Sequence, residues 1–254
     1  MSQKTILVTG ATAGFGAAFA RRFVADGHRV IATGRRLERL ESLAAELGPN
    51  LLPAALDVTD HAAVANFLST IPQAWREIEV LINNAGLALG LAPAWSANLA
   101  HWDQMIATNI SGLVHVTRAI LPGMVERNSG TIINIGSVAG TYPYPGGHVY
   151  GSTKSFVSHF SLNLRADLLG KNIRVTSLEP GLVGGSEFSN VRFEGDATRA
   201  AAVYAGTQTL TPEDMAETAA WIISLPAHMN INRIEIMPIA QASAALSISR
   251  AAST

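Results

Sequence analysis

The stretch Thr5-Ile6-Leu7-Val8-Thr9-Gly10-Ala11-Thr12-Ala13-Gly14-Phe15-Gly16 decides the fold. Its first five residues are apolar or β-branched without polar alternation, as a strand buried on both faces requires. Gly10, Gly14 and Gly16 then permit a tight turn. From residue 14 to residue 25 the apolar positions recur at helical spacing. Working outward, the same alternation repeats. Residues 29–33 and 51–56 read as strands, and between them Leu37, Leu40, Leu43, Ala44 and Leu47 line one helix face that Gly48-Pro49 stops. Asp60 is placed to N-cap a helix carrying Val64, Phe67, Leu68 and Ile71. Further strands are predicted at 80–83, 131–135, 174–178 and 233–236, with helices at 99–127, 150–169 and 212–225. Apolar strands separated by helices predict an α/β fold. Its sheet is parallel and doubly wound, of about seven strands, with helices on both faces. One domain over residues 1–254 is expected. Residues 181–211 fit no element well, and a loop of that length in a compact domain is usually functional, here a mobile cover.

The composition excludes several classes. The chain has 254 residues, 48% of them hydrophobic and 15% charged, and a net charge of −1. A balance so close to neutral is not the cationic footprint of a nucleic-acid binder. No apolar run reaches the roughly 18–20 residues that span a bilayer. Residues 1–4 carry no apolar signal region, so a cytoplasmic location is expected. The absence of cysteine removes disulfides, thiolate metal sites and cysteine nucleophiles. The seven histidines form no H-x-x-x-H pair, so no metal is expected.

In doubly wound sheets ligands bind beyond the carboxyl ends of the strands. The glycine turn lies there. It brings backbone close to a pyrophosphate, and the following helix offers free N–H groups and a positive dipole end. The spacing is G-x-x-x-G-x-G. It also suits a strand-to-helix turn with no ligand. A site for an unphosphorylated ribose needs an acid after the second strand. That region instead reads Ala32-Thr33-Gly34-Arg35-Arg36, and two arginines can hold a 2′-phosphate. They also suit a solvated pair. Asp57-Val58 follows the third strand, near where an adenine would sit, though Asp57 equally suits a turn.

Tyr150-Gly151-Ser152-Thr153-Lys154 carries the reacting end. Positions i and i+4 share a helix face, so the lysine is expected to lower the phenol pKa and make Tyr150 a general base. Ser137, at the end of the fifth strand, is placed to hydrogen-bond a substrate oxygen. Asn109 is an unfavourable interior helix residue, which suggests a polar role such as holding a water beside Lys154. Asn83-Asn84-Ala85-Gly86 follows the fourth strand and suits either a cofactor ribose or sheet stability.

Taken in order over nearly the full length, 9–16, 83–86, Asn109, Ser137, Tyr150, Lys154 and Pro180-Gly181 resemble the short-chain dehydrogenase/reductase family. The resemblance implies a Rossmann fold, NAD(P)(H), and reversible hydride transfer between alcohol and carbonyl. It also implies a relay of Asn109, Ser137, Tyr150 and Lys154, with the lysine hydrogen-bonding the nicotinamide ribose. Arg35 matches NADP-preferring members. The implied cofactor set is Gly10, Thr12, Gly14, Phe15, Gly16, Arg35, Arg36, Asp57, Val58, Asn84, Ala85, Gly86, Tyr150, Lys154, Pro180, Gly181 and Val183. Homotetramers pairing through 99–127 and 150–169 are implied as well.

The segments 12–16, 144–150, 179–193, 225–228 and 237–238 are more narrowly similar to NADP-dependent 3-hydroxy acid (serine or allo-threonine) dehydrogenases. That similarity implies oxidation of the 3-hydroxyl of L-serine, L-allo-threonine, 3-hydroxyisobutyrate or 3-hydroxypropionate to semialdehydes, or the reverse reduction. A small carboxylate substrate needs a cation, and Arg192 on the cover is the candidate, with Ser137 and Tyr144 beside the substrate. The alternatives are a broad NADPH-dependent ketone or diketone reductase and, more remotely, a dinucleotide-binding module without catalysis. Residues 241–254 match no pattern.

Overall fold

The structure, a computed structural model, describes residues 2–243; the tail from residue 244 onward lies outside the described residues. Seven parallel strands form one sheet: β1 (Thr5–Val8), β2 (Arg29–Gly34), β3 (Leu51–Ala55), β4 (Val80–Asn83), β5 (Gly130–Ile135), β6 (Ile173–Pro180) and β7 (Arg233–Ile236). Their order is β3-β2-β1-β4-β5-β6-β7, the doubly wound arrangement that the sequence predicts. Every residue of β1 is buried, because β2 and β4 pair with its two edges and helices cover both faces.

Three helices cover one face: α1 (Gly14–Ala25), α2 (Leu37–Leu47) and, later in the chain, α9 (Pro212–Ser224). Phe19 and Phe23 of α1 stack with ring centroids 6.2 Å apart and pack with Leu40, Met215 and Ile222 against β1 and β2. The opposite face takes α3 (His61–Thr70), α5 (Leu113–Arg127) and α6 (His148–Asp167), through Phe67, Val116, Ile120, Met124 and Leu164. Burial of each such side chain contributes about 1.5–3 kcal/mol. Asp60 caps α3 as expected, accepting from Ala63 N at 2.9 Å. Thr211 and Asp214 form a reciprocal capping box on α9. The other end of α9 is closed by Arg174. Its buried guanidinium donates to the carbonyls of Ile222, Ile223 and Leu225 at 2.8–3.2 Å, and burial lowers its pKa. Among the described residues no helix is long and apolar enough to cross a membrane.

Two expectations need correction. The predicted helix over 99–127 is α4 (Leu99–Ile106) and α5 joined by a π-helical segment, Ala107–Gly112. Met105, Asn109, Gly112, Leu113 and Val116 all face inward along it. Gly112 must be small there, since a Cβ would come within 2.7 Å of Val58. Residues 181–211 are not an unstructured loop either. They hold α7 (Phe188–Arg192), α8 (Ala197–Ala202) and a parallel bridge between Val183 and Leu210. Single-turn helices are too short for periodicity to reveal.

Candidate active site

The carboxyl ends of β1, β4, β5 and β6 open onto one cleft with a cavity volume of about 540 Å³. Every residue expected to act in catalysis or binding lines it, except Gly16 and Asn109, which lie behind its wall. The glycine turn forms one end. Gly10 and Gly14 adopt φ of 68° and 51°, which side chains disfavour. A Cβ on Gly16 would meet Gly10 O at 2.3 Å, so the helix start and the turn touch. No side chain caps the N-terminus of α1. Its first N–H groups therefore face the cleft as an anion site.

Asn84 builds this turn. Its Nδ2 donates to Thr9 O at 2.8 Å and to Gly10 O at 3.1 Å, while Thr9 Oγ1 accepts from the N–H groups of Asn84 and Ala85. Its side chain thus holds backbone together, and the residue also lines the cleft. Asp57 Oδ1 likewise accepts from Thr59 N and Oγ1 and fixes the turn after β3. Arg35 is exposed at the rim. Arg36 reaches Thr12 Oγ1 at 2.7 Å and also pairs with Glu187 at 2.9 Å. Arg39 pairs with the other oxygen of Glu187 at 2.7 Å, and the two arginines hold that carboxyl below its usual range. Glu187 thus ties the cover to the arginine end. Sequence reasoning missed it, because its partners lie about 150 residues away in the chain.

At the other end Tyr150 and Lys154 sit one turn apart on α6, both buried. Lys154 Nζ lies 5.8 Å from the Tyr150 ring centroid and donates to Ile135 O at 2.8 Å. Burial pushes the Tyr150 phenol up to about 12. Arg192 and then Ser137 pull it back; Lys154 is not among the groups that lower it. The phenol is thus raised where the sequence predicts a lowering, because burial outweighs the groups that pull it down. Helical spacing specifies proximity, but not how deeply the fold buries the ring. Lys154 itself is pushed down to about 8 by burial, against the opposing charge of Glu179. Ser137 Oγ donates to Pro180 O at 3.4 Å and accepts from Ala139 N at 3.1 Å, so its own bonds run to backbone while it faces the phenol.

Asn109 has the polar role that its place inside a helix predicts. Its Oδ1 accepts from Leu87 N, and its Nδ2 donates to Leu87 O and Thr153 Oγ1, at 2.8–3.1 Å. With both side-chain atoms engaged, it clamps the loop after β4 to α6. A Cβ on Gly86 would lie 3.3 Å from Asn109 Oδ1 and 3.5 Å from Lys154 Nζ, so this loop passes tightly over the lysine.

The cover supplies Arg192, the last residue of α7. Its Nη2 donates to Tyr144 Oη at 2.9 Å, and its guanidinium stands 5.1 Å from the rings of both Tyr150 and Phe188. Its carbonyl accepts from Gly90 N, which fixes the cover to the loop after β4. Its Nε is buried with no hydrogen-bond partner among the described residues. Gln241, in the segment that matched no pattern, accepts from Leu182 N at 2.7 Å. Gly181 must stay small there, since a Cβ would lie 2.3 Å from Gln241 Oε1. An anion-binding helix start, a tight glycine turn and arginines beyond it, all on one cleft with Tyr150, can hold a phosphorylated dinucleotide.

The comparisons agree with this geometry. The chain is 60% identical over 245 residues, 96% of its length and 99% of the relative's, to the NADP-dependent 3-hydroxy acid dehydrogenase of Salmonella typhi. It is 50% identical over 246 residues to the serine 3-dehydrogenase of Rhizobium radiobacter, covering 97% of this chain and 98% of that one. The solved closed form of serine dehydrogenase complexed with NADP+ superposes with a TM-score of 0.95 at 59% identity, over 96% of this chain and 99% of that one. Residues 4–196 match the family described as short chain dehydrogenase. On sequence, topology and site geometry together, the protein belongs to the short chain dehydrogenase family.

Proposed function

We propose that the protein is an NADP-dependent oxidoreductase that oxidises the 3-hydroxyl of small 3-hydroxy acids to semialdehydes, or reduces the semialdehydes. Arg192 carries the choice of substrate: a guanidinium with an unpartnered, buried Nε stands above the Tyr150 ring, where a substrate carboxylate would sit. A buried donor of this kind calls for an acceptor, and a carboxylate answers it with charge-assisted hydrogen bonds. The names of the relatives above support the same reading.

Bound NADP(H) supplies the hydride acceptor or donor. The α1 N-terminus and the glycine turn would hold its pyrophosphate, and Arg35 and Arg36 its 2′-phosphate. Ser137 orients the substrate oxygen toward Tyr150. The Tyr150 phenolate accepts the proton of the alcohol, and the phenol returns it to the carbonyl oxygen in reduction. Lys154 holds a positive charge beside this transfer and would hydrogen-bond the ribose of a bound cofactor. Asn109 keeps the loop over Lys154 in place. The cover over 181–211 excludes water from the closed site.

The test is a substrate panel followed by NADPH absorbance. L-Serine, L-allo-threonine, 3-hydroxyisobutyrate and 3-hydroxypropionate are expected to exceed size-matched alcohols without a carboxylate by about 100-fold in kcat/KM. Equal rates across the panel would assign the protein to the broad carbonyl reductases. The same reading includes a cytoplasmic homotetramer built through α4, α5 and α6. Those helices expose Ile106, Phe156 and Leu162 at 42%, 37% and 44%. Light scattering at four times the chain mass is expected, and a monomer would reject this assembly.

A further inference from the structure

One buried carboxylate takes no part in the proton transfer described above. Glu179, on β6, is 1% exposed. Ser177 Oγ donates to its Oε1 at 2.8 Å, and Arg233 Nε, from β7, lies 2.7 Å from its Oε2. Arg233 is shared with Glu235, and Glu235 in turn accepts from Tyr142 Oη. The Glu179 carboxylate is therefore only partly neutralised. A buried ion of this kind is costly to keep.

Its position suggests why it is there. Glu179 packs against Gly136, where a Cβ would lie 2.7 Å from its Cγ. The preceding residue, Ile135, provides the carbonyl that holds Lys154 Nζ. The carboxylate and the ammonium thus converge on two adjacent residues at the end of β5. Tyr150 faces Lys154 from α6, with Arg192 from α7 beyond that ring. Neutral Asn109 lies near it from the π segment, and neutral Ile135 from β5. Glu179 brings the negative charge from β6, with Arg233 and Glu235 of β7 behind it.

We propose that Glu179 is a positioning residue for the proton-transfer site: held by Ser177 and Arg233, its carboxylate keeps Lys154 charged beside Tyr150. The proposal rests on the Tyr150–Lys154 reading above and deepens it. Without the carboxylate, burial would act on the lysine unopposed and lower its pKa further. Arg233 tempers the effect by neutralising part of the carboxylate. The two residues therefore push the lysine in opposite directions, which a purely structural tie between β6 and β7 would not do.

The experiment is a pH titration of the full chain labelled with [13C]lysine, followed by NMR at Cε. Lys154 is distinguished from Lys4 and Lys171 by their arginine variants. The wild-type midpoint is expected at about 8. Glu179→Gln is expected to bring it below about 7, a tenfold or greater loss of proton affinity, and Arg233→Met to raise it above about 8.5. A Glu179→Gln midpoint within about 0.3 of wild type overturns the proposal. Should Glu179→Gln not fold, Arg233→Met decides: a rise supports the proposal and an unchanged midpoint overturns it. The titration reads lysine charge and not turnover. A shifted midpoint in an enzyme indifferent to Lys154→Met would therefore sink the catalytic reading and spare this one.

Discussion

Tyr150→Phe is expected to lower kcat by about 10³-fold while NADPH binds within about a factor of two of wild type. The substitution removes one oxygen and keeps the ring. That ring meets Phe188 edge-on at 5.7 Å and lies under Arg192 at 5.1 Å, contacts that phenylalanine preserves. The loss therefore reports proton transfer and not packing. Steady-state rates and a fluorescence titration with NADPH check the two halves separately. A kcat within tenfold of wild type would remove Tyr150 as the proton acceptor. The pH dependence follows with a definite sign. The phenol is pushed up to about 12, so the proton-accepting phenolate grows as pH rises. Oxidation should climb with pH in the wild type, and that climb should vanish in Tyr150→Phe. Reduction needs the protonated phenol, which the same upward push keeps abundant at neutral pH.

Much of this was legible in the chain because it is local. A buried strand, a glycine turn and a helix start lie within twelve residues of one another, and i,i+4 spacing puts Tyr150 and Lys154 on one face. The doubly wound parallel sheet followed from apolar strands alternating with helices. What escaped is non-local. The π segment carries Asn109, whose partner Leu87 lies 22 residues earlier in the loop after β4, a pairing that local spacing does not reveal. Glu187 finds Arg36 and Arg39 only once the cover folds back over the turn. The electrostatics of Tyr150 escaped for a related reason. Spacing names the neighbour at i+4, but the groups that lower this phenol, Arg192 and Ser137, come from α7 and the end of β5. Glu179 had no signal beyond its place before Pro180-Gly181, since its neighbours Gly136 and Arg233 lie on other strands.

Arg192 joins the substrate to the base, so its replacement separates the readings of the cleft most sharply. Arg192→Met keeps an unbranched apolar stem against Tyr144, Tyr150 and Phe188 and removes the charge. If the guanidinium binds the substrate carboxylate, kcat/KM for 3-hydroxy acids falls by about 100-fold, on the order of 3 kcal/mol, mostly through KM. Arg192 also helps lower the Tyr150 phenol, so a neutral alcohol of the same size should lose activity too, by only about tenfold or less. The informative quantity is thus the ratio of hydroxy-acid to neutral-alcohol kcat/KM. Loss of the carboxylate contact shrinks that ratio, whereas loss of phenol activation alone leaves it unchanged. A ratio that survives the substitution would mean that Arg192 serves only the base, and the carboxylate would then have to be held elsewhere in the cleft. Because the guanidinium sits on the cover, a collapsed ratio would also place substrate choice on a segment that Glu187 ties to the arginine end. Cofactor and substrate would then be sensed by one element.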